Sequence, residues 1–201
     1  MPLRSDLAII SQWIVPGSRI LDLGCGDGAL LAYLRDNFSV KGYGLEIDDG
    51  HIAHCVAAGL NVIQGNLDEG LPDFDANSFD YVIMTQTLQA VRSPERLVRE
   101  MLRVGREGIV TFPNFGHWSA RIQIALQGKM PVSEALPCQW YDTPNIHLCT
   151  VKDFERLCKE NDIRILQRTV VDVAHNENLF MQLFPNIFGE IAIYRLCKSP
   201  T

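Results

Sequence analysis

The chain has 201 residues, of which 47% are hydrophobic and 21% are charged, and this composition is typical of a globular protein with one sizeable core. The formal net charge is −6 and no cluster of Lys and Arg offsets it, so we expect no nucleic-acid partner. No segment approaches the roughly 20 apolar residues of a membrane span, and the apolar stretch near the N-terminus is broken by Ser11 and Gln12, unlike a secretory signal. The six cysteines show no CxxC spacing, so we expect reduced thiols and no structural metal site. Together with the absence of a predicted span or signal, this predicts a cytoplasmic protein that does not associate with a membrane.

Strand-length apolar runs alternate with helix-length amphipathic runs through the first half of the chain, and this alternation predicts a parallel sheet covered by helices. The predicted helices there are Asp6–Ile14, Ala29–Asn37, Gly50–Ala58 and a helix opened by Ser93 and Pro94 and ended by Gly105. The predicted strands are Arg19–Leu23, Gly42–Ile47, Val62–Gln64, Asp80–Met84 and Gly108–Phe112.

The alternation stops at residues 113–149, which hold several Pro and Gly residues, Trp118, Trp140 and Tyr141. This run is too long for an ordinary connection between elements. We therefore expect one domain over residues 1–201, with an irregular lid or partner-binding insertion at about 113–149. Thr150 then has the spacing of an N-cap for a helix ending near Glu160, and the predicted strands Arg164–Val173 and Glu190–Leu196 follow.

A glycine turn joins the first predicted strand to the second predicted helix in ILDLGCGDGALLAYL. Gly24 and Gly26 allow a tight turn and the close approach of a ligand, and the following helix N-terminus offers N–H groups. The spacing of Gly24, Gly26 and Ala29 also satisfies a loose dinucleotide fingerprint, with Glu46 placed where an acid can bind ribose hydroxyls.

The charge of the loop distinguishes a dinucleotide from a positively charged nucleoside ligand. Asp22 directly before the loop and Asp27 within it would repel a pyrophosphate, whereas they would attract a ligand that carries a sulfonium and an ammonium group. The sequence therefore favours S-adenosylmethionine over NAD, and an NAD-binding oxidoreductase is the weaker alternative.

Four segments, DLGCGDG, GLEID, QGNLDEGL and SFDYVIMTQTLQ, resemble in order the cofactor motifs of class I S-adenosylmethionine-dependent methyltransferases. The resemblance covers about Arg19 to Phe112. It implies an α/β, three-layer Rossmann-like fold whose seven-stranded sheet is mostly parallel with an antiparallel last strand. It also implies S-adenosylmethionine or S-adenosylhomocysteine as the ligand.

The resemblance implies a role for each residue that matches a motif. Asp22, Gly24 and Gly26 would hold the methionine part, Glu46 both ribose hydroxyls, and Ile47 one side of the adenine. Asn66 and Leu67 would meet the adenine edge, and Cys25 and Gln86 would belong to the same site. Many members have Asp at the position of Asn66, but the carbonyl oxygen of an amide can accept the same hydrogen bond.

A second pair of segments, VTFPNFGHW and LPCQWYDTPNIHLCTVKDF, resembles the MetW family of methionine biosynthesis proteins and extends the similarity over nearly the whole chain. Members of that family are associated with homoserine O-acyltransferases of the MetX type. The resemblance therefore implies an acyltransferase of this type as the partner. The sequence has no GxSxG motif, so we do not expect the chain to transfer acyl groups itself.

Methyl transfer needs a base only where the acceptor must lose a proton. The segment Thr85–Gln89 after the fourth strand holds no group that titrates near neutrality. The weak catalytic candidates are His117, Tyr141, Asp142 and His147 in the insertion, and a packed loop explains them equally well. His51, His54 and Cys55 lie within one helical turn, but nothing completes a metal-ligand set, so we predict no metal site.

Two hypotheses follow from these patterns. In the first, the chain binds S-adenosylmethionine and acts as the non-acylating partner of the acyltransferase, with Gln139–His147 as a lid or a protein-binding surface. In the second, it is an autonomous methyltransferase that acts on a small molecule bound beneath the segment from Phe112 to Cys149. Co-purification with the acyltransferase and methyl transfer by the chain alone distinguish them.

Overall fold

The computed structural model describes residues 5–172 and 179–199. The strands are β1 (Arg19–Leu23), β2 (Lys41–Glu46), β3 (Asn61–Gln64), β4 (Phe79–Thr85), β5 (Gly105–Pro113), β6 (Ile163–Val171) and β7 (Ile191–Lys198). The α-helices are α1 (Ser5–Gln12), α2 (Ala29–Phe38), α3 (Asp49–Ala57), α4 (Pro94–Val104), α5 (Trp118–Ile122), α6 (Val151–Glu160), α7 (Leu179–Leu183) and α8 (Pro185–Phe188). Short 3₁₀ turns at Leu67–Glu69 and Leu88–Ala90 and a π-helical turn at Gln123–Gln127 complete the described elements, and no helix in these ranges is long and apolar enough to cross a bilayer.

The strands form a single seven-stranded sheet in the order β3-β2-β1-β4-β5-β7-β6. Strands β1 to β5 pair in parallel, and β7 lies antiparallel to both β5 and β6. This confirms the predicted mostly parallel sheet with an antiparallel last strand. The strand order reverses between β1 and β4, and in open α/β sheets the crevice at the carboxyl ends of such strands is where ligands bind.

The central strands are continuous apolar runs because helices cover both faces of the sheet. In β1 all residues after Arg19 are buried, whereas the edge strand β3 has no fully buried residue. One face packs on α1 and α2, and the other packs on α4 and α6. On the second face the rings of Phe112, Phe154 and Tyr194 form a cluster, with centroids 4.9 Å apart for the first pair and 4.8 Å for the last pair.

Each predicted strand and helix occurs in the structure within a few residues of its predicted bounds, although α1 ends at Gln12 and not at Ile14. The hydroxyl of Thr150 accepts a hydrogen bond from the N–H of Asp153, as its spacing predicts. The insertion is less irregular than expected, because residues 118–127 are helical. Helices α7 and α8 were not predicted, and the predicted strand end at Val173 lies outside the described residues.

Candidate ligand-binding cleft

The glycine loop between β1 and α2 adopts a conformation that few other residues could take. Gly24 has φ of +70°, and a Cβ there would lie 2.8 Å from the hydroxyl oxygen of Thr87. Gly28 has φ of +78°, and a Cβ there would lie 2.4 Å from Cδ1 of Leu60 and 2.9 Å from the sulfur of Cys55. Both the left-handed backbone and the close packing therefore require glycine.

The substitution Gly28→Ala tests this packing against a matched control. We expect it to lower the free energy of unfolding by about 1–3 kcal/mol, because it adds both backbone strain and a steric clash. Gly17 has the same φ of +78° but no neighbouring atom within 4 Å, so Gly17→Ala reports the backbone strain alone. Urea denaturation should give a larger loss in the free energy of unfolding for Gly28→Ala than for Gly17→Ala. Equal losses would show that the close contacts with Leu60 and Cys55 do not affect stability.

The carboxylate of Glu46, at the end of β2, ties the loop to the neighbouring strand. Its Oε2 accepts the N–H of Gly26 at 2.8 Å, and its Oε1 accepts the N–H groups of Ile47 at 2.8 Å and Asp48 at 3.0 Å. A carboxylate has about four lone-pair sites. The three backbone bonds therefore leave room on Oε2 for one further donor, such as a ligand hydroxyl.

Two cavities open on either side of the loop. The first, of about 880 Å³, is bounded by the loop and by residues of α2, and Asp22 lies at its wall. The second, of about 590 Å³, lies beyond the ends of β2, β3 and β4. Gly24, Gly26 and Thr85 line both, so the two cavities form one elongated cleft across the switch point.

The structure brings all the residues predicted from the cofactor motifs to this cleft. The first cavity is lined by Asp22, Gly24, Cys25 and Gly26, and the second by Gly24, Gly26, Glu46, Ile47, Asn66, Leu67 and Gln86. The ends of the cleft differ in character. Asp22 is a carboxylate only 1% exposed at the end of β1, whereas Ile47, 61% exposed, presents an apolar side chain at the rim.

Cys25 contributes to the cleft through its backbone. A Cβ on Gly44 would lie 2.4 Å from the Cys25 sulfur, so the thiol points into the sheet packing, and burial raises its pKa. The carbonyl of Gly26 lies 3.8 Å from this sulfur and 3.4 Å from that of Cys55. The two thiols are thus packed, protonated groups behind the loop.

Several wall residues were missed by the sequence reasoning. They are Thr85, Thr87, Asp48, His51, Pro144 and Asn145. Of these, Thr85 and Thr87 could have been found, because they flank the carboxyl end of a strand beside the switch point. Their neighbour Gln86, which was predicted, has φ of +55°, and its N–H donates to both the carbonyl and the hydroxyl oxygen of Thr111 at 3.0 Å. Such a backbone conformation in a non-glycine residue is frequent at functional sites.

The insertion folds back onto the cleft. The N–H groups of Ile146 and His147 donate to the carbonyl of Gln89 at 2.9 and 3.0 Å, and Nε2 of His147 lies 3.2 Å from the carbonyl of Arg92. These contacts place Pro144 and Asn145 on the cavity wall. No sequence pattern predicts this path, because the segment is neither helix nor strand.

The weak catalytic candidates occupy positions outside both cavity walls, as far as the described residues define them. His147 anchors the insertion, as described above. Tyr141 is 73% exposed and packs edge-on against Trp140. His117 is buried, with Nδ1 at 2.8 Å from the hydroxyl of Ser119 and Nε2 at 3.8 Å from Oε1 of Glu190. These contacts account for His117 and His147, whereas Tyr141 is exposed; the catalytic role of these three residues and of Asp142 remains an untested prediction.

His117 makes stability depend on pH. Burial lowers its pKa below the usual value of about 6.5, and the nearby Glu190 only partly opposes this shift. The unfolded chain therefore binds a proton more readily than the folded one, so His117 favours the folded state above about pH 6.5 and this stabilisation is lost as the pH falls. Urea denaturation between pH 7 and 5 should show a smaller loss in the free energy of unfolding for His117→Gln than for the parent chain. If this free energy depends on pH equally in the two proteins, His117 is not the group responsible.

A sequence model described as "Methionine biosynthesis protein MetW" matches residues 4–196. The chain is also 34% identical over 200 residues to the "Bifunctional methionine biosynthesis protein MetXA/MetW" of Rhodopirellula baltica, which is 95% of this chain and 32% of that protein. A ubiquinone biosynthesis O-methyltransferase of Hahella chejuensis is 29% identical over 119 residues, which is 55% of this chain and 48% of that enzyme. The chain thus spans between a third and a half of the length of these relatives.

Solved structures with the same fold include S-adenosylmethionine-dependent methyltransferases. One from Mesorhizobium loti superposes with a TM-score of 0.69 at 17% identity, over 96% of this chain and 95% of that one. Another from Archaeoglobus fulgidus gives a TM-score of 0.69 at 14% identity, over 98% and 93%. At these identities the similarity establishes the class I methyltransferase fold and does not extend to substrate.

Proposed function

The chain belongs to the MetW family of methionine biosynthesis proteins, and on that basis we propose that it binds S-adenosylmethionine in the cleft and acts as the non-acylating partner of a MetX-type homoserine O-acyltransferase. The observation that carries the ligand assignment is the carboxylate of Asp22, almost fully buried at the wall of an open cavity beside the glycine loop. A buried carboxylate in such a place favours a cationic ligand and disfavours a phosphate.

Residues suited to each part of the proposed ligand line the cleft. Asp22 would hold the ammonium group, and the free acceptor site on Glu46 would take a ribose hydroxyl. Ile47 and Leu67 would flank the adenine, for which they offer apolar side chains on the wall of the second cavity. The side-chain oxygen of Asn66 accepts the N–H of Asp68 at 3.0 Å and has a second lone pair for the adenine amino group.

The bound ligand would supply an activated methyl group. At the end of β4, where the two cavities meet, the chain presents Thr85, Gln86 and Thr87, none of which titrates near neutrality. These residues can orient a ligand and exclude water, but they cannot remove a proton from an acceptor. These three residues suit a binding module, and an enzyme acting on a protonated acceptor would need a base from another part of the wall.

The partnership with an acyltransferase is supported by the R. baltica relative, whose name combines MetXA and MetW in one protein. Fusion of two modules keeps them at a high effective concentration and is useful where the modules act together. The present chain covers only 32% of that relative. The part of that relative that this chain does not cover leaves room for the acyltransferase module, and we infer that a MetX-type module is the partner of this chain.

Calorimetric titration of the purified chain with S-adenosylmethionine and S-adenosylhomocysteine tests the ligand assignment. We expect saturable binding of both, and absence of binding would exclude the assignment. The acyltransferase rate should then be measured with and without this chain at increasing S-adenosylmethionine. A change in rate that requires the chain supports the partnership, and a rate indifferent to the chain removes it.

The alternative is an autonomous methyltransferase acting on a small molecule. It is favoured by the similarity over half of the chain to the H. chejuensis O-methyltransferase. Transfer of a labelled methyl group from S-adenosylmethionine to a metabolite extract, by the chain alone, would establish it. If label is transferred only when the acyltransferase is present, the alternative fails.

A further inference from the structure

The insertion contains a small apolar pocket separate from the two cavities of the cleft. It has a volume of about 170 Å³ and is lined mainly by apolar side chains, among them Met130, Leu136, Trp140, Ile146 and Leu148. Several of these are strongly exposed: Trp140 is 71%, Ile146 55% and Leu148 50% accessible. Large apolar side chains gathered around a concave site mark an interaction surface more often than a solvated one.

The charge around this pocket is also unusual for the chain. Between Pro113 and Cys149 the charged residues are Arg121, Lys129, Glu134 and Asp142, two of each sign, while the whole chain has a net charge of −6. The centres of protein interfaces are depleted of charge and enriched in aromatic residues and Met. The insertion has this composition: few charges, with Trp140 and Met130 at the pocket.

The size of the pocket sets what can enter it. A cavity of roughly 150 Å³ accepts a benzene molecule, so a pocket of about 170 Å³ accepts one aromatic or aliphatic side chain. Protein interfaces commonly centre on one such anchor residue seated in a pocket of the partner.

We propose that this pocket is the docking site for one apolar anchor side chain of the MetX-type acyltransferase, and that Asn145 couples docking to occupancy of the ligand-binding cleft. The identity of the occupant rests on the proposed function. The R. baltica relative, whose name combines MetXA and MetW, is similar to 95% of this chain, so the similarity includes most of the insertion. A MetX-type module is therefore the partner to which the insertion is most directly linked.

The coupling follows from a shared wall. Asn145 lines both the docking pocket and the second cavity of the cleft, with Pro144 on the cleft side and Ile146 on the pocket side. The N–H of Ile146 is bonded to the carbonyl of Gln89, which fixes this segment to the end of β4. A ligand that shifts Asn145 therefore changes the shape of the pocket, and linkage requires docking to change ligand affinity by the same factor.

Binding of the acyltransferase from the same organism should be measured by surface plasmon resonance with three variants of the full chain. We expect Ile146→Asp to weaken it at least 10-fold and Trp140→Ala at least 3-fold. Val56→Asp is the matched control, because Val56 is 62% exposed on α3 and lines neither the pocket nor the cleft within the described residues. Normal binding by both pocket variants, or an equal loss in the control, would overturn the docking site.

The coupling is tested with saturating S-adenosylhomocysteine. The dissociation constant of the acyltransferase should change at least 3-fold when this ligand is added, and Asn145→Ala should reduce that change while both partners still bind. An unchanged constant in the parent chain would overturn the coupling. If the parent chain does not bind the acyltransferase at all, the proposed function itself fails. If the parent chain associates with itself and Ile146→Asp abolishes that association without weakening acyltransferase binding, the pocket is the docking site for a second copy of the chain.

Discussion

Replacing Asp22 by Asn is expected to raise the dissociation constant for S-adenosylmethionine roughly 30- to 1000-fold, which corresponds to about 2–4 kcal/mol. Asp22 is almost fully buried, so solvent screens its interaction with the ligand ammonium only weakly. Asn has nearly the same shape as Asp, and the substitution therefore removes the charge and leaves the packing. Calorimetric titration measures the effect, and a melting curve of the ligand-free variant verifies that it is folded.

The matched control is Asp27→Asn in the same loop. Asp27 is exposed, and its carboxylate accepts the N–H of Ala29 at 3.1 Å at the start of α2. Asp27 also lines the first cavity, but water screens its exposed charge, so this variant should lose much less affinity than Asp22→Asn. If both variants lose affinity equally, net charge and not the buried position of Asp22 governs binding. If the parent chain binds NAD and not S-adenosylmethionine, and Asp22→Asn leaves NAD binding intact, the dinucleotide alternative is correct.

The part of the cleft that could be predicted from sequence is the part built by local geometry. The loop from Asp22 to Gly28 joins a strand to a helix, and its conformation is set by its own glycines. Glu46 ends the next parallel strand, so the pairing of β2 with β1 necessarily brings it to the loop. Residues that follow the carboxyl ends of adjacent parallel strands lie close together, independently of the rest of the fold.

The remainder depends on contacts that are distant in sequence. Pro144 and Asn145 reach the cleft because the backbone beyond them bonds to Gln89, and no periodicity marks that pairing. Helices α7 and α8 are only one turn long and follow no repeating apolar pattern. The three backbone bonds of Glu46 are equally invisible in the sequence. The role of Glu46 toward both ribose hydroxyls stays a prediction.

A further long-range feature is Asn114, which holds the base of the insertion against the sheet. Its side-chain nitrogen donates to the carbonyl of Gly189 at 2.7 Å, and its side-chain oxygen accepts the N–H groups of Gly116 at 3.0 Å and Val151 at 3.2 Å. Asn114 is 3% exposed, so water cannot readily replace these bonds. One side chain therefore connects the end of β5, the start of α6 and the residue after α8.

We expect Asn114→Ala to lower the free energy of unfolding by about 3–5 kcal/mol. It leaves two buried N–H groups and a buried carbonyl without partners, and we take the lower part of the range of about 1–3 kcal/mol for each group because the backbone can relax around the shortened side chain. The melting temperature should fall by roughly 6–20 °C, given about 2–4 °C per kcal/mol for a chain of this size. Asn37→Ala is the control: Asn37 is exposed and bonds only to the carbonyl of Tyr33 within the described contacts, so its loss should stay within about 0.5 kcal/mol. A loss of similar size in the two variants would mean that Asn114 does not hold the base of the insertion.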